Sequence, residues 1–257
     1  MTDQDKLIER DRYDARAKAQ LAGEKMVIET PSFGSQTMPA YLQPPYIYYE
    51  QRIAELIRPD HIVLELGAGA GLHTRVLLQT GAQVTASDIP PNSLSLLKQQ
   101  FKNVHGNLKT EVADMERLPF DDSSFDVIAC AGILSYGAPS LVNAEIRRVL
   151  RPGGMLICVD SLNYNPIYRA NRWLHYMLGN RSKSTLKRIP DLARIRALSE
   201  GFSIVNVRFF GVMSYAMQGI ARLFGENNAR SVSDRIDQMI GVRRSAFKFV
   251  VVAQGFA

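Results

Sequence analysis

The sequence predicts one doubly wound α/β domain, a mostly parallel sheet covered by helices on both faces. Three observations carry that reading. Short, continuous apolar runs alternate with amphipathic stretches between about residues 62 and 159, as strands buried on both faces require. A glycine-rich segment, Glu65-Leu66-Gly67-Ala68-Gly69-Ala70-Gly71, follows the first of those runs and opens a helix. The chain has 257 residues, 46% hydrophobic and 22% charged, which is too apolar for disorder and sufficient for a large core with a ligand pocket.

Residues 1–30 read as a charged helix, with Leu7, Ile8, Tyr13, Ala17 and Leu21 at helix-compatible spacings. Residues 31–45, rich in Pro, Ser, Gly and Gln, read as loop. Residues 1–45 therefore form an N-terminal helical extension. It is expected to fold over the ligand as a lid, using Tyr13 or a tyrosine among Tyr46, Tyr48 and Tyr49. Residues 46–257 form the main domain. Its first helix, 46–57, stops before Pro59, because the residue ahead of a proline disfavours helix. Strands are expected at 62–66, 84–87, 110–113, 125–131 and 155–159, with helices at 72–79, 93–101 and 142–150 between them. Arg151-Pro152-Gly153-Gly154 reads as the turn that ends the last of these helices. Then comes an insertion at about 163–196, with a helix over 167–178 and another at 192–200. A strand at 202–210, a polar helical stretch at 216–239 and an inner strand at 245–253 complete the domain.

The net charge of +6 is concentrated in one place. Residues 166–196 hold eight basic residues, Arg169, Arg172, Arg181, Lys183, Lys187, Arg188, Arg194 and Arg196, against the single acid Asp191. A nucleic-acid binder spreads its charge along a face, so no sequence-specific nucleic-acid partner is expected. Within the insertion, Ile167, Ala170, Leu174, Met177 and Leu178 make an apolar stripe at helical spacing, flanked by Tyr168, Trp173 and Tyr176. A solvated basic cap, a grip on an anionic acceptor and a helix lying at a lipid headgroup layer all suit that composition, the last placing membrane contact at 166–188. Cys130 and Cys158 sit in apolar runs without a nearby Cys/His cluster, which predicts buried fillers, no disulfide framework and no metal. The charged N-terminus has no apolar core of a secretion signal, and no run approaches the roughly 20 apolar residues that span a bilayer. The expected location is the cytoplasm, with any membrane contact peripheral.

The glycine loop narrows the chemistry. Glycines between a strand and a helix let the backbone turn sharply and approach a ligand at the helix's positive end. Read from Gly67, a dinucleotide fingerprint would require Gly or Ala where Leu72 stands, and no phosphate-binding G-x-x-x-x-G-K-[ST] occurs. The acid-x-G-x-G-x-G spacing of Glu65, Gly67, Gly69 and Gly71 instead resembles motif I of class I S-adenosylmethionine-dependent methyltransferases. Residues 118–128, Leu-Pro-Phe-Asp-Asp-Ser-Ser-Phe-Asp-Val-Ile, are similar to the segment before the fourth strand in the ubiquinone/menaquinone-type, methyltransferase-11-like branch. Leu150-Arg151-Pro152-Gly153-Gly154 resembles the turn before its fifth strand, and the insertion is loosely similar to methyltransferases of bacterial surface-polysaccharide pathways.

The resemblance implies a Rossmann-like, seven-stranded sheet of order 3-2-1-4-5-7-6 with the last strand antiparallel. It implies S-adenosylmethionine as methyl donor and S-adenosylhomocysteine as product. Glu65, Gly67, Ala68, Gly69 and Gly71 would cradle it, Asp88 with Ile89 would meet the ribose hydroxyls, and Asp114 with Met115 would meet the adenine. The acceptor would lie beyond the fourth and fifth strands, near 132–138 and 160–165, where open α/β sheets bind ligands. Asp160, Tyr136 and His175 are the candidate catalytic residues there, with Tyr164 beside them. His73 reads as a packing or capping residue. The segment after the fourth strand, Ala129-Cys130-Ala131-Gly132-Ile133, lacks the [N/D]-P-P-[Y/F] of amine methylation on nucleic acids, and Cys130 lacks the preceding proline of cytosine-C5 enzymes. The expected acceptor is a small molecule. The leading reading is a hydroxyl of a sugar or of an anionic, nucleotide-linked glycan. A quinone or lipid precursor, and a catalytically silent partner subunit that only binds the cofactor, are the alternatives.

Overall fold

The computed structural model describes residues 3–22, 39–103, 107–177, 183–239 and 245–257; Arg181 and much of the predicted loop at 31–45 lie outside them. The first elements are α1 (Asp3–Leu21), α2 (Pro44–Leu56), β1 (Ile62–Leu66), α3 (Thr74–Gln79), β2 (Gln83–Asp88), α4 (Pro91–Gln100) and β3 (Leu108–Val112). They are followed by β4 (Phe125–Ala131), α5 (Pro139–Val149), β5 (Leu150–Ser161), α6 (Pro166–Met177), α7 (Lys183–Lys187) and α8 (Leu192–Leu198). The chain ends with β6 (Phe202–Phe210), α9 (Ser214–Phe224), α10 (Glu226–Met239) and β7 (Lys248–Phe256).

The seven strands lie in the order β3-β2-β1-β4-β5-β7-β6. All are parallel except β7, which runs antiparallel to both of its neighbours. Side chains of a strand alternate between faces, so β1 buries Leu64 and Leu66 on one side and Val63 on the other. The first face carries α5 and α8 through Val142, Ile146, Ile195 and Leu198. The second carries α2 and α3 through Tyr49, Ile53 and Leu77. Both faces need apolar partners, which is why the strands read as unbroken apolar runs. Cys130 and Cys158 stand opposite each other on β4 and β5, fully buried as free thiols.

Two local readings are corrected. Arg151-Pro152-Gly153-Gly154 is no turn: α5 stops at Val149 and β5 begins at Leu150, opposite Phe125. The extra residues are absorbed by a register shift between Phe125 and Val127, with Gly153 at φ +81°. The polar stretch predicted at 216–239 divides into two helices at Gly225, whose φ of +86° no helix accommodates. On α6, Leu174 and Met177 of the apolar stripe are 51% and 61% exposed and Trp173 beside them 58%, whereas Arg172 is only 8% exposed.

Candidate functional site

Glycines shape the loop after β1, and they do two different jobs. Gly67, Ala68, Gly69 and Ala70 line a cavity of about 310 Å³ at the C-terminal ends of β1, β2 and β4. Gly71 does not line it. A Cβ there would lie 2.7 Å from Phe101 Cε2 and 3.2 Å from Leu97 Cγ, so Gly71 lets α4 pack against the loop. Across the cavity Gly132 adopts φ +70°, and the space where its Cβ would stand is open.

Two acids face this space from the walls. The Glu65 carboxylate is buried at the end of β1 and accepts a 2.6 Å hydrogen bond from Thr74 Oγ1. Burial pushes its pKa up to about 7, against that hydrogen bond and with some help from the charge of Asp88. Asp88, at the end of β2, accepts from the Gly69 N–H on Oδ2 and from the Ile89 N–H on Oδ1, each at 2.7 Å. Burial raises its pKa too, opposed by those two bonds. Each Asp88 oxygen keeps a further lone pair, so the group can still accept from a vicinal diol. An open glycine cradle, a diol acceptor and the apolar Met115 and Ile133 side chains fit an adenosyl group.

The raised pKa of Glu65 has a stability consequence. The folded ligand-free protein holds this proton up to about pH 7, whereas the unfolded chain releases it near 4.5. Native stability should therefore fall as pH rises from 4.5 to 7, by up to about 3 kcal/mol. Glu65→Gln should flatten most of that slope in urea titrations; an unchanged slope would place the group elsewhere.

Helix α1 closes the cavity from above with Lys6, Glu9, Arg10 and Tyr13. It is tied to the loops after three strands. Lys6 Nζ contacts Asp114 at 2.5 Å and Glu116 at 2.6 Å, beyond β3. Asp14 accepts from Asn92 N–H and Nδ2 at 3.0 and 2.8 Å, at the positive start of α4 beyond β2. The Tyr13 and Tyr136 hydroxyls lie 2.9 Å apart, beyond β4. On the opposite wall Tyr46 stacks on His73, with ring centroids 5.5 Å apart, and Tyr49 meets the same imidazole edge-on.

The predicted residues separate accordingly. Glu65, Gly67, Ala68, Gly69, Asp88, Ile89, Met115 and Tyr136 share the cavity. Asp114 stands outside it, because its Oδ2 is held by Lys6 and its Oδ1 accepts from Glu116 N–H. Asp160 does not line the cavity: its Oδ2 accepts from Leu134 N–H at 2.8 Å and its Oδ1 from Ser161 N–H at 2.6 Å, which ties the Leu134 turn to the end of β5. Tyr164 packs against the core. His175 lies on α6 with its side chain outside the described set. Sequence reasoning missed Lys6, Glu9 and Arg10; their charge marked them as solvent-facing.

Comparison with known proteins agrees with this geometry. Residues 64–158 match a family model described as "Methyltransferase domain". A sterol 4-C-methyltransferase of Caenorhabditis elegans is 32% identical over 146 residues, covering 55% of this chain and 43% of that protein. A demethylmenaquinone methyltransferase of Tropheryma whipplei is 35% identical over 128 residues, covering 47% of this chain and 51% of that protein. The chain thus spans about half the length of these curated relatives. The solved structure of the [4+2]-cyclase SpnF superposes with a TM-score of 0.61 at 17% identity, over 96% of this chain and 94% of that one. That likeness speaks for the fold alone, since folds host many reactions. The matched residues run from β1 to β5 through the glycine loop and both cavity acids, and they mark this region as a methyltransferase domain of the class I, S-adenosylmethionine-dependent type.

Proposed function

We propose that the protein transfers a methyl group from S-adenosylmethionine to a small amphiphilic acceptor, of the quinone- or lipid-precursor type, presented at an anionic membrane surface. The observation that carries the acceptor class is helix α6, which turns Trp173, Leu174 and Met177 to solvent in the most basic stretch of the chain. An aromatic and aliphatic face flanked by cations suits a headgroup layer. Among the described residues no helix is long and apolar enough to cross a membrane, so the contact is peripheral. The similarity to a sterol and a menaquinone-precursor methyltransferase supports the same class. A second reading, a hydroxyl of a sugar or nucleotide-linked glycan, is favoured by the inward-turned arginines of the insertion.

The donor, when bound, supplies a methyl group already activated on a sulfonium. Glu65, Gly67, Gly69 and Asp88 would hold it, and Tyr13, Tyr46 and Tyr136 would shape the side from which the acceptor approaches. Alignment to about 3 Å of the methyl carbon is the main task of these side chains. Helix α1 acts as a lid in this scheme, because it lies over the cavity and is tied to the loops around its mouth at three places. Hydrogen exchange should show added protection across residues 6–17 with S-adenosylhomocysteine; no added protection would sink the lid.

The acceptor class is tested with vesicles. Trp173 is the chain's single tryptophan, so its fluorescence reports on α6 alone. Anionic vesicles should co-sediment the protein and shift that emission to the blue, and an acceptor screen with labelled donor should favour isoprenoid quinone precursors over nucleotide sugars. Absence of vesicle binding together with turnover of a nucleotide sugar would replace this reading by the second. Binding of S-adenosylhomocysteine without turnover of any acceptor would leave the silent-subunit alternative.

A further inference from the structure

One imidazole in the wall of the donor cavity is held more closely than packing alone requires. His73 lines that cavity just ahead of α3 and is 5% exposed. It occupies the capping position of the helix, yet its side chain makes no capping hydrogen bond. Three residues of α2 surround the ring instead. Tyr46, Tyr49 and Glu50 stand at i, i+3 and i+4, the spacing that gathers side chains on one face of a helix. Tyr46 stacks on the imidazole with 6° between the planes, and Tyr49 meets it edge-on. Glu50 brings Oε1 to 3.3 Å from Nδ1, which is buried. The contact is not aligned as a hydrogen bond in the ligand-free protein, a common state of catalytic pairs that tighten once substrate binds. A carboxylate beside Nδ1 favours the tautomer that carries its proton there, which leaves the ring's lone pair on Nε2.

The acids that line the same cavity are engaged. Asp88 holds the Gly69 and Ile89 N–H groups, Glu65 accepts from Thr74, and Glu9 pairs with Arg12 at 2.8 Å. The Tyr13 and Tyr136 hydroxyls pair with each other. His73 is therefore the cavity group with a basic nitrogen to offer. Charge balance says what that nitrogen can do. As an acceptor oxygen takes the methyl group, its bond to carbon forms, the carbon–sulfur bond breaks and the sulfonium charge is lost. If His73 Nε2 takes the hydroxyl proton in the same step, an imidazolium charge appears beside Glu50. The enclosed site then carries one ligand or imidazole positive charge both before and after transfer, and no charged oxygen has to form in a low-dielectric space. The proton passes to water when the product leaves.

We propose that His73 is the proton acceptor of the methyl transfer, that Glu50 is its positioning residue, and that the methyl acceptor presents a hydroxyl group. The inference rests on the reading of this cavity as the donor site, and it narrows either acceptor class considered above to its hydroxyl-bearing members. An amine acceptor needs no such group, because its own lone pair takes the methyl and its proton can leave to water afterwards.

Two measurements test it. Nitrogen-15 spectra of the S-adenosylhomocysteine complex at about pH 9, above the ordinary range of imidazole, read the tautomer without any acceptor. His73 should carry its proton on Nδ1. With the acceptor turned over fastest in the screen, His73→Gln should lower kcat about 100-fold or more, while S-adenosylhomocysteine binds within about threefold of wild type. Glu50→Gln should lower kcat about tenfold and leave the acceptor KM unchanged. Added imidazole should restore part of the turnover of His73→Gly, which a packing role would not allow. A proton on Nε2, a kcat within about threefold of wild type in His73→Gln, or a loss of turnover matched by an equal loss of S-adenosylhomocysteine binding would each overturn the assignment. Fastest turnover of an amine would overturn the acceptor class. Failure of the wild type to bind S-adenosylhomocysteine would instead count against the methyltransferase reading, and a screen without turnover leaves the tautomer to decide the pair.

Discussion

Asp88→Ala is expected to weaken S-adenosylhomocysteine binding about 100-fold in isothermal titration. Two effects add. A charged acceptor facing hydroxyl donors contributes about 1.5–3 kcal/mol per hydrogen bond, and its loss leaves ligand hydroxyls unpaired in a partly enclosed site. The same carboxylate clamps the glycine loop, accepting from Gly69 N–H and Ile89 N–H, so its removal also releases the loop that forms the cavity floor. Asp88→Asn keeps one acceptor oxygen and the side-chain volume, and about a tenfold loss is expected of it. Unchanged affinity in the alanine variant would mean that the ligand's diol is held elsewhere.

Gly67→Ala should lower stability by about 3 kcal/mol in denaturant titration and abolish cofactor binding. Gly67 adopts φ +67°, a conformation that costs an L-residue about 1–2 kcal/mol. Its new Cβ would collide with Ile133 Cγ2 across the strand ends, and overpacking of that kind adds about 1–3 kcal/mol. The two parts can be separated. Ile133→Ala makes room for the methyl but leaves the backbone strain and carries its own cavity cost, because Ile133 is buried in the core. Measured against Ile133→Ala as the parent, Gly67→Ala should therefore cost only about half as much as in the wild type. An equal cost in both backgrounds would show that the collision is not the cause.

The architecture was legible because its signals are local. Apolar runs such as Ile62–Leu66 and Phe125–Ala131 admit only a strand covered on both faces, and the glycine spacing after β1 announces a turn against a ligand. The donor cavity followed from the same loop together with Asp88. What escaped was set by tertiary contacts. Asp114 reads as a ligand from its place after β3, and no local signal announces the lysine, 108 residues away, that meets its carboxylate. Asp160 reads as a base from its place after β5, and no local signal announces that the loop after β4 folds back onto it. The helical periodicity of 167–178 correctly marks an amphipathic helix, yet periodicity does not say which face turns inward. Here the aromatic and aliphatic side faces water and Arg172 faces the protein. Lys248, in an otherwise apolar strand, is buried against Ser161 and the Tyr46 ring, a placement that strand periodicity alone does not announce.

The position of β7 bears on how the protein is made. It is synthesised after β6 yet lies between β5 and β6, and β6 hydrogen-bonds to no other strand. A growing chain that has passed Ser161 already possesses every residue of the donor cavity, whereas Lys248 and the antiparallel closure are still to come. Donor bound to a folded form of that segment would stabilise it by mass action. Over the same interval β6 waits with both edges unpaired, the arrangement most prone to pairing with a foreign strand. The edge of the sheet is therefore completed last, by inserting β7 between two strands that have already been made.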